Sequence, residues 1–204
     1  ESYSIRARCI AATIAISVLA SLAVQVSINT QPGQSPIEAF ALTMRFFTIW
    51  TNVSAGIVMG WVAMRGKADA RILFALTTAI VIVAAVYHAL LAGEHQPVGL
   101  DWWTNLMFHT LIPAALIICW LAFSSTSSAG LRSLPVVVIF PLIYAGFALI
   151  HGSQTGFYAY FFLDLSALGW SQLLINMAGL SLLFVLVGTM LLGLRGVIRP
   201  APTD

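Results

Sequence analysis

The chain reads as an all-α polytopic membrane protein with six transmembrane helices and both termini cytoplasmic. Three observations predict this. Sixty per cent of its 204 residues are apolar and only 8% are charged, whereas a soluble domain carries about 25% charged residues. The apolar residues gather in runs at roughly 8–28, 37–64, 71–92, 102–123, 134–151 and 170–194. Each is long enough to cross about 30 Å of hydrocarbon, the fifth only marginally. Finally, eight of the nine basic residues fall in every second gap between runs. Those gaps hold Arg6 and Arg8, then Arg65, Lys67 and Arg71, then Arg132, then Arg195 and Arg199. The alternate gaps hold no Lys or Arg and carry Glu38, Glu94, Asp101 and Asp164. This is the positive-inside distribution, and it places the basic gaps in the cytoplasm.

Each element follows in order. The first run could pass for a signal peptide after Arg6 and Arg8, but about 20 apolar residues exceed an ordinary signal core, so it is read as a retained helix. Gln31-Pro32-Gly33 ends it. The second run, 37–64, descends to the breaker Arg65-Gly66-Lys67. The third rises to Tyr87 and His88 and is followed by Gln96-Pro97-Val98-Gly99. The fourth descends from Asp101, Trp102 and Trp103 to the loop at 124–130. The fifth rises to His151, and the sixth descends from about Trp170. Short connections make sequence neighbours antiparallel neighbours in space. No internal repeat points to an inverted-repeat transporter. No stretch is polar enough for a separate soluble domain, so 1–204 is one membrane domain.

The segment from His151 to Trp170 is aromatic and polar by turns. It is too polar to span and too apolar to float free. It lies in the outer interface as an aromatic belt, or folds back over the bundle as a lid; His151, Tyr158 and Asp164 are its candidate functional residues.

A net charge of +2 spread over four basic segments carries no nucleic-acid signature. Cys9 and Cys119 both fall at the cytoplasmic side and are expected as free thiols. No cofactor and no protein partner is called for. The expected location is a plasma or bacterial inner membrane, with any site facing the outer side.

The strongly polar intramembrane residues favour the outer half. Arg45 is the one basic residue inside a run, and an arginine there marks a functional site by default. Snorkelling to the outer surface would take it about 12 Å. Arg45, Thr48 and Asn52 step along one face of the second helix, and Asp101, Asn105 and His109 along one face of the fourth. Two such stripes turn inward, because lipid offers them no partners. Tyr87 and His88, His151, and Ser171, Gln172 and Asn176 add to the outer layer.

A hydroxyl, an imidazole and a guanidinium near one depth suit acyl transfer. Thr48 is the candidate nucleophile and His109 the base that takes and returns its proton. Arg45, Asn52, Asn105 and Asn176 are the candidates for substrate or oxyanion contacts. Helix rise puts Thr48 roughly 16 Å and His109 roughly 10 Å below the outer ends of their runs, a mismatch beyond hydrogen-bond reach. Two other readings stand beside this one. A non-catalytic lipid-binding or transport protein would use Arg45 for a carboxylate or phosphate headgroup. A metal or haem protein would draw on His88, His109 and His151 with Asp101, although no pair of these lies at i,i+4 spacing. His95 is read as a loop residue.

Three segments resemble the androgen-induced/ADTRP-like family of six-helix membrane proteins. They are Arg45-Phe46-Phe47-Thr48-Ile49-Trp50-Thr51-Asn52, then Leu106-Met107-Phe108-His109-Thr110-Leu111-Ile112-Pro113. The third is the stretch from His151 through Thr155-Gly156-Phe157-Tyr158 to Phe162-Leu163-Asp164. The resemblance implies an integral-membrane hydrolase of fatty acid esters of hydroxy fatty acids, or similar lipid esters. It implies Thr48 as the intramembrane nucleophile, His109 as its histidine, and Arg45 as a carboxylate or oxyanion partner.

Overall fold

The computed structural model of the chain describes residues 2–93, 96–124 and 129–198. Glu94, His95 and Arg199 lie outside them. The described residues form helices and their connections, with one isolated β-bridge between Ser2 and Lys67. Six helices are long and apolar enough to cross a membrane, and the chain is an integral, multi-pass membrane protein in architecture. They are α1 (Ile5–Asn29), α3 (Phe47–Arg65), α4 (Ala70–Leu91), α5 (Leu100–Phe123), α6 (Leu134–Thr155) and α7 (Leu165–Ile198, kinked at Gly169, whose φ of 68° and ψ of 168° are not helical), with a short α2 (Pro36–Thr43) between the first two.

Local chemistry explains the helix ends. Ser4 caps α1 by accepting from the Ala7 amide at 3.3 Å. Ser35 and Glu38 form a reciprocal capping box around Pro36 at the start of α2, satisfying two amides that a helix start otherwise leaves unbonded. Asp69 caps α4 through the Arg71 amide at 2.8 Å. At the last turn of α3, Arg8 donates to the carbonyls of Ala63 (2.9 Å) and Met64 (3.1 Å). A cation there meets both the unbonded carbonyls and the negative end of the helix dipole. The same end of the bundle carries Arg65, Lys67 and Arg71, and the Tyr3 amide donates to Gly66 at 2.8 Å. We call it the basic end and its opposite the distal end.

α4 is the central and most buried spanning helix, packed on α3, α5, α6 and α7. α7 is the least buried. The main core runs the length of the bundle and includes Phe74 stacked on Trp120 at 5.9 Å. A smaller core at the distal end joins Tyr144, Ala145, Ala148, Leu163 and Leu173 to Phe47, Trp50 and Tyr160.

α1 and α3 make the most extensive helix pair. Lipid tails are as apolar as the side chains, so close backbone approach and packing hold such pairs together. A Cβ on Gly56 would stand 2.9 Å from Val18 Cγ1, whereas one on Gly60 would stand 3.8 Å from Ala15. Gly56→Leu is therefore expected to cost about 1–3 kcal/mol by overpacking, and Gly60→Ala to be tolerated. Thermal unfolding midpoints in detergent measure both; equal midpoints would remove the Gly56 contact from the account.

The second and sixth runs differ from the sequence expectation. Run 37–64 is not one helix, because residues 44–46 break it. No glycine or proline marks the break. Side chains from elsewhere hold the freed backbone instead: Trp50 Nε1 donates to the Met44 carbonyl at 2.6 Å, the Tyr144 hydroxyl to the Arg45 carbonyl at 2.7 Å, and the Tyr160 hydroxyl accepts from the Phe47 amide at 3.1 Å. Non-helical backbone in a membrane protein survives where such partners are supplied. At the other end of the chain, α7 continues past 194. Arg195 lies buried within it, donating to the Ala129 carbonyl, with its guanidinium 4.9 Å from the Trp120 ring centroid.

Candidate functional site at the distal end

The break relocates the two leading candidates. Arg45 stands in the break, half-buried, and not within a spanning helix. Its Nε donates to the Leu42 carbonyl at 3.0 Å, and its guanidinium lies 4.0 Å from the Phe157 ring centroid. Thr48 is the second residue of α3, in its first turn. It does not lie deep in a longer helix, as run 37–64 had suggested.

Asn52 is fully buried one turn further on. Its Nδ2 donates to two carbonyls at once, that of Thr48 at 2.8 Å and that of Phe108 at 3.2 Å. One amide therefore clamps the turn that carries Thr48 to the segment that carries His109. The depth mismatch expected from counting residues along the runs does not keep the two segments apart, because this one amide reaches both. With both Nδ2 hydrogens spent on carbonyls, Asn52 offers no donor to an oxyanion. The atom it presents is Oδ1, a buried acceptor with no hydrogen-bond partner. The reverse assignment would set Oδ1 against two carbonyl oxygens, which repel it.

His109 sits in a π-helical turn, Met107–Leu111, and a second π turn, Tyr87–Leu91, ends α4 beside it. Such turns are rare and recur at functional sites. The Tyr87 ring stacks on His109 with centroids 3.9 Å apart, and Asn105 Nδ2 donates to the Tyr87 hydroxyl. His88 Nε2 and the Thr110 hydroxyl lie 3.0 Å apart, joining the two turns a second time. The Asn105 carbonyl accepts from His109 Nδ1 at 3.1 Å. A carbonyl can only accept, so Nδ1 carries the proton and, in the neutral ring, Nε2 carries the basic lone pair.

The polar stripe on α5 divides. Asn105 and His109 turn to α4, while Asp101 and Thr104 turn to α1. There Gln25 donates to Asp101 at 3.3 Å and accepts from the Thr104 hydroxyl. Asn29 continues that chain to Thr43 at 3.1 Å. Asn176 belongs to neither group. It donates to the Phe162 carbonyl at 3.0 Å and accepts from Gln172 at 2.9 Å, so it holds the distal connection and is not placed at Thr48.

That connection folds back on the bundle. α6 continues through His151 to Thr155, and Gly156, at φ 73°, ends it with a left-handed turn that favours glycine. Phe157 meets Phe46 edge-on at 6.2 Å and His151 at 6.3 Å. The Tyr158 ring lies in the notch left by the missing side chain of Gly152. The hydroxyl of Tyr160 accepts from the Phe47 amide at 3.1 Å, next to Thr48 in the chain. Asp164 caps α7 through Ser166 at 3.0 Å and Ala167 at 3.2 Å.

The Ser166 hydroxyl, with those amides, holds the Asp164 carboxyl below the usual carboxylate range. A depressed folded value gives stabilisation that is present above the ordinary carboxylate pKa and fades as pH falls through the depressed one. The melting-temperature deficit of Asp164→Ala relative to wild type should therefore be largest at neutral pH and shrink on acidification. A deficit independent of pH would remove the charge from the cap.

Among the described residues no hydrogen bond joins Thr48 to His109; His109 faces Tyr87 and Asn105. Nor does any group of three His, Cys, Asp or Glu side chains there have metal-binding geometry; His88, His109, His151 and Asp101 are dispersed. Tyr87 and Tyr160 are the functional candidates that residue spacing missed as site members. Both are aromatics at membrane-interface positions, where an anchoring ring is the ordinary expectation.

The fold and site define a six-helix integral membrane protein whose polar groups converge at one end, around two facing π turns and a broken helix. No family model, no curated protein and no solved structure matches the chain.

Proposed function

We propose that the protein is an integral-membrane hydrolase of lipid-like esters, fatty acid esters of hydroxy fatty acids among them. The observation that carries this reading is the Asn52 clamp, which ties the turn of Thr48 to the turn of His109 through one buried amide. The Nδ1-protonated ring of His109 supports it, since a general base needs the Nε2 lone pair. The resemblance of the Thr48 and His109 segments to the androgen-induced/ADTRP-like family supports it independently.

In the proposed reaction the Thr48 hydroxyl turns toward the ester. Its oxygen attacks the acyl carbon while His109 Nε2 takes its proton. The tetrahedral oxyanion develops near the first-turn amides of α3, where the helix dipole favours negative charge. Collapse breaks the bond to the leaving alkoxide, which receives the proton from His109. Water then repeats the sequence on the acyl-threonine and restores the hydroxyl. Arg45, half-buried at the entrance, holds a substrate carboxylate. Under this reading the distal end faces the outer side of a plasma or bacterial inner membrane.

A second reading, lipid binding or transport without chemistry, is favoured by the lack of a hydrogen bond between Thr48 and His109 among the described residues, since His109 Nδ1 is spent on the Asn105 carbonyl. Hydrolysis of a fatty acid ester by the purified protein separates the two. Thr48→Ala abolishes turnover under the first and leaves lipid binding intact under both.

A further inference from the structure

We infer that residues 156–161 form a hinged strap over Thr48, latched by the hydroxyl of Tyr160. The inference takes from the proposed function only that a ligand must reach Thr48, and its test reads access to that position without any hydrolysis.

The two halves of the distal connection are held differently. Its far half is anchored to α7: Leu163 is buried, the Phe162 carbonyl accepts from Asn176, and Asp164 caps the helix. Its near half runs between the left-handed turn at Gly156 and Phe161, which is 84% exposed. It touches the bundle through the Tyr160 hydroxyl, the Tyr160 ring against Tyr144 and Phe162 in the smaller core, the Phe157 ring on Arg45, and the Tyr158 ring against Gly152. The strap thus has one fixed end, one glycine hinge and a few contacts that can be released together.

The latch contact also couples opening to binding. Tyr160 is the acceptor for the Phe47 amide, at the helix start that follows the break, where no side chain of α3 itself caps the turn. Moving the strap away orphans this amide in a site shielded from water, which is unfavourable unless another oxygen replaces the phenol. An acyl oxygen arriving at Thr48 supplies that acceptor. The closed form is therefore the resting state, and an oxygen-bearing lipid shifts the population toward the open one.

The test measures the rate at which a small water-soluble methanethiosulfonate modifies Thr48→Cys in protein carrying Cys9→Ser and Cys119→Ala. The Phe47 amide still donates to Tyr160 in that background. Adding Tyr160→Phe should raise the rate about three- to tenfold, the range a single net hydrogen bond commands. Phe157→Ala, which releases Arg45 instead, should act in the same direction and serves if Tyr160→Phe does not fold. Ser54→Cys, half-buried in the groove shared with Ile57, Ile139 and Ile143, is the control and should keep its rate. Unchanged modification of Cys at 48 in both variants overturns the strap, as does an equal acceleration at 48 and 54, which reports general loosening.

Discussion

Thr48→Ala is expected to reduce the proposed ester hydrolysis by the purified protein to background, and His109→Ala to lower it by about 10²- to 10⁴-fold. Under the proposed mechanism the first change removes the atom that would form the acyl intermediate. The second would remove the proton acceptor, and general-base catalysis ordinarily contributes a factor of that size. Because the two residues act as a unit, the double variant should fall no further than the weaker single one. A fluorophosphonate probe reads the same chemistry without a known substrate: labelling of wild type should vanish in both variants. Both retain the Asn52 clamp, since its acceptors are the backbone carbonyls of Thr48 and Phe108. Their folding should thus be close to wild type, and wild-type-like hydrolysis by both would overturn the mechanism.

Asn52 is expected to discriminate sharply between two replacements of similar size. Asn52→Asp sets a carboxylate against two carbonyl oxygens in a fully buried position and removes both hydrogen bonds. A charged residue within a membrane helix costs about 2.5–3.5 kcal/mol on the mildest scale, so this variant should be largely unfolded or aggregated on extraction. Asn52→Leu loses the same bonds, but intramembrane side-chain hydrogen bonds average only about 0.6 kcal/mol each. It also eliminates the buried Oδ1, which has no partner. It should stay folded within about 1 kcal/mol of wild type while losing activity, because the turns of Thr48 and His109 are no longer tied. Thermal unfolding in detergent beside an activity assay decides the matter. A stable Asn52→Asp would remove the clamp from the account, and a fully active Asn52→Leu would leave it a purely structural contact.

How much of this was legible in the residues depends on the range of the interactions. The six spans could be read because lipid imposes about 20 apolar residues on any helix that crosses it. The capping box at Ser35 and Glu38 lies within four residues, so it too is local. The break at 44–46 is invisible to any local rule. Its stabilising groups come from Trp50, Tyr144 and Tyr160, the last more than a hundred residues away. The error in placing Arg45 and Thr48 follows directly, since both were measured from the start of a run and not of a helix. The π turns were hidden for a related reason: their residues, including His88 and His109, have no composition that separates them from ordinary helix. The polar residues of the distal half were visible as a set. Their pairing was not, because Asn105 with Tyr87 and Asn52 with Phe108 are contacts between helices.

The two π turns carry a consequence for the history of such a bundle. A π turn is an α-helix with one residue too many, so a single-codon insertion creates it and a single-codon deletion erases it. The turn at Met107–Leu111 and the turn at Tyr87–Leu91 lie against each other. A plain six-helix bundle could therefore acquire this arrangement of His109 on Tyr87 in two small genetic steps, without changing its spans. Each step would rotate everything beyond it by about 100° around its helix axis, moving polar residues from one neighbour to another. On α5 the side chains such a rotation re-aims are those beyond the turn, the buried Leu116 and Trp120 among them, whereas Asp101 and Asn105 precede it.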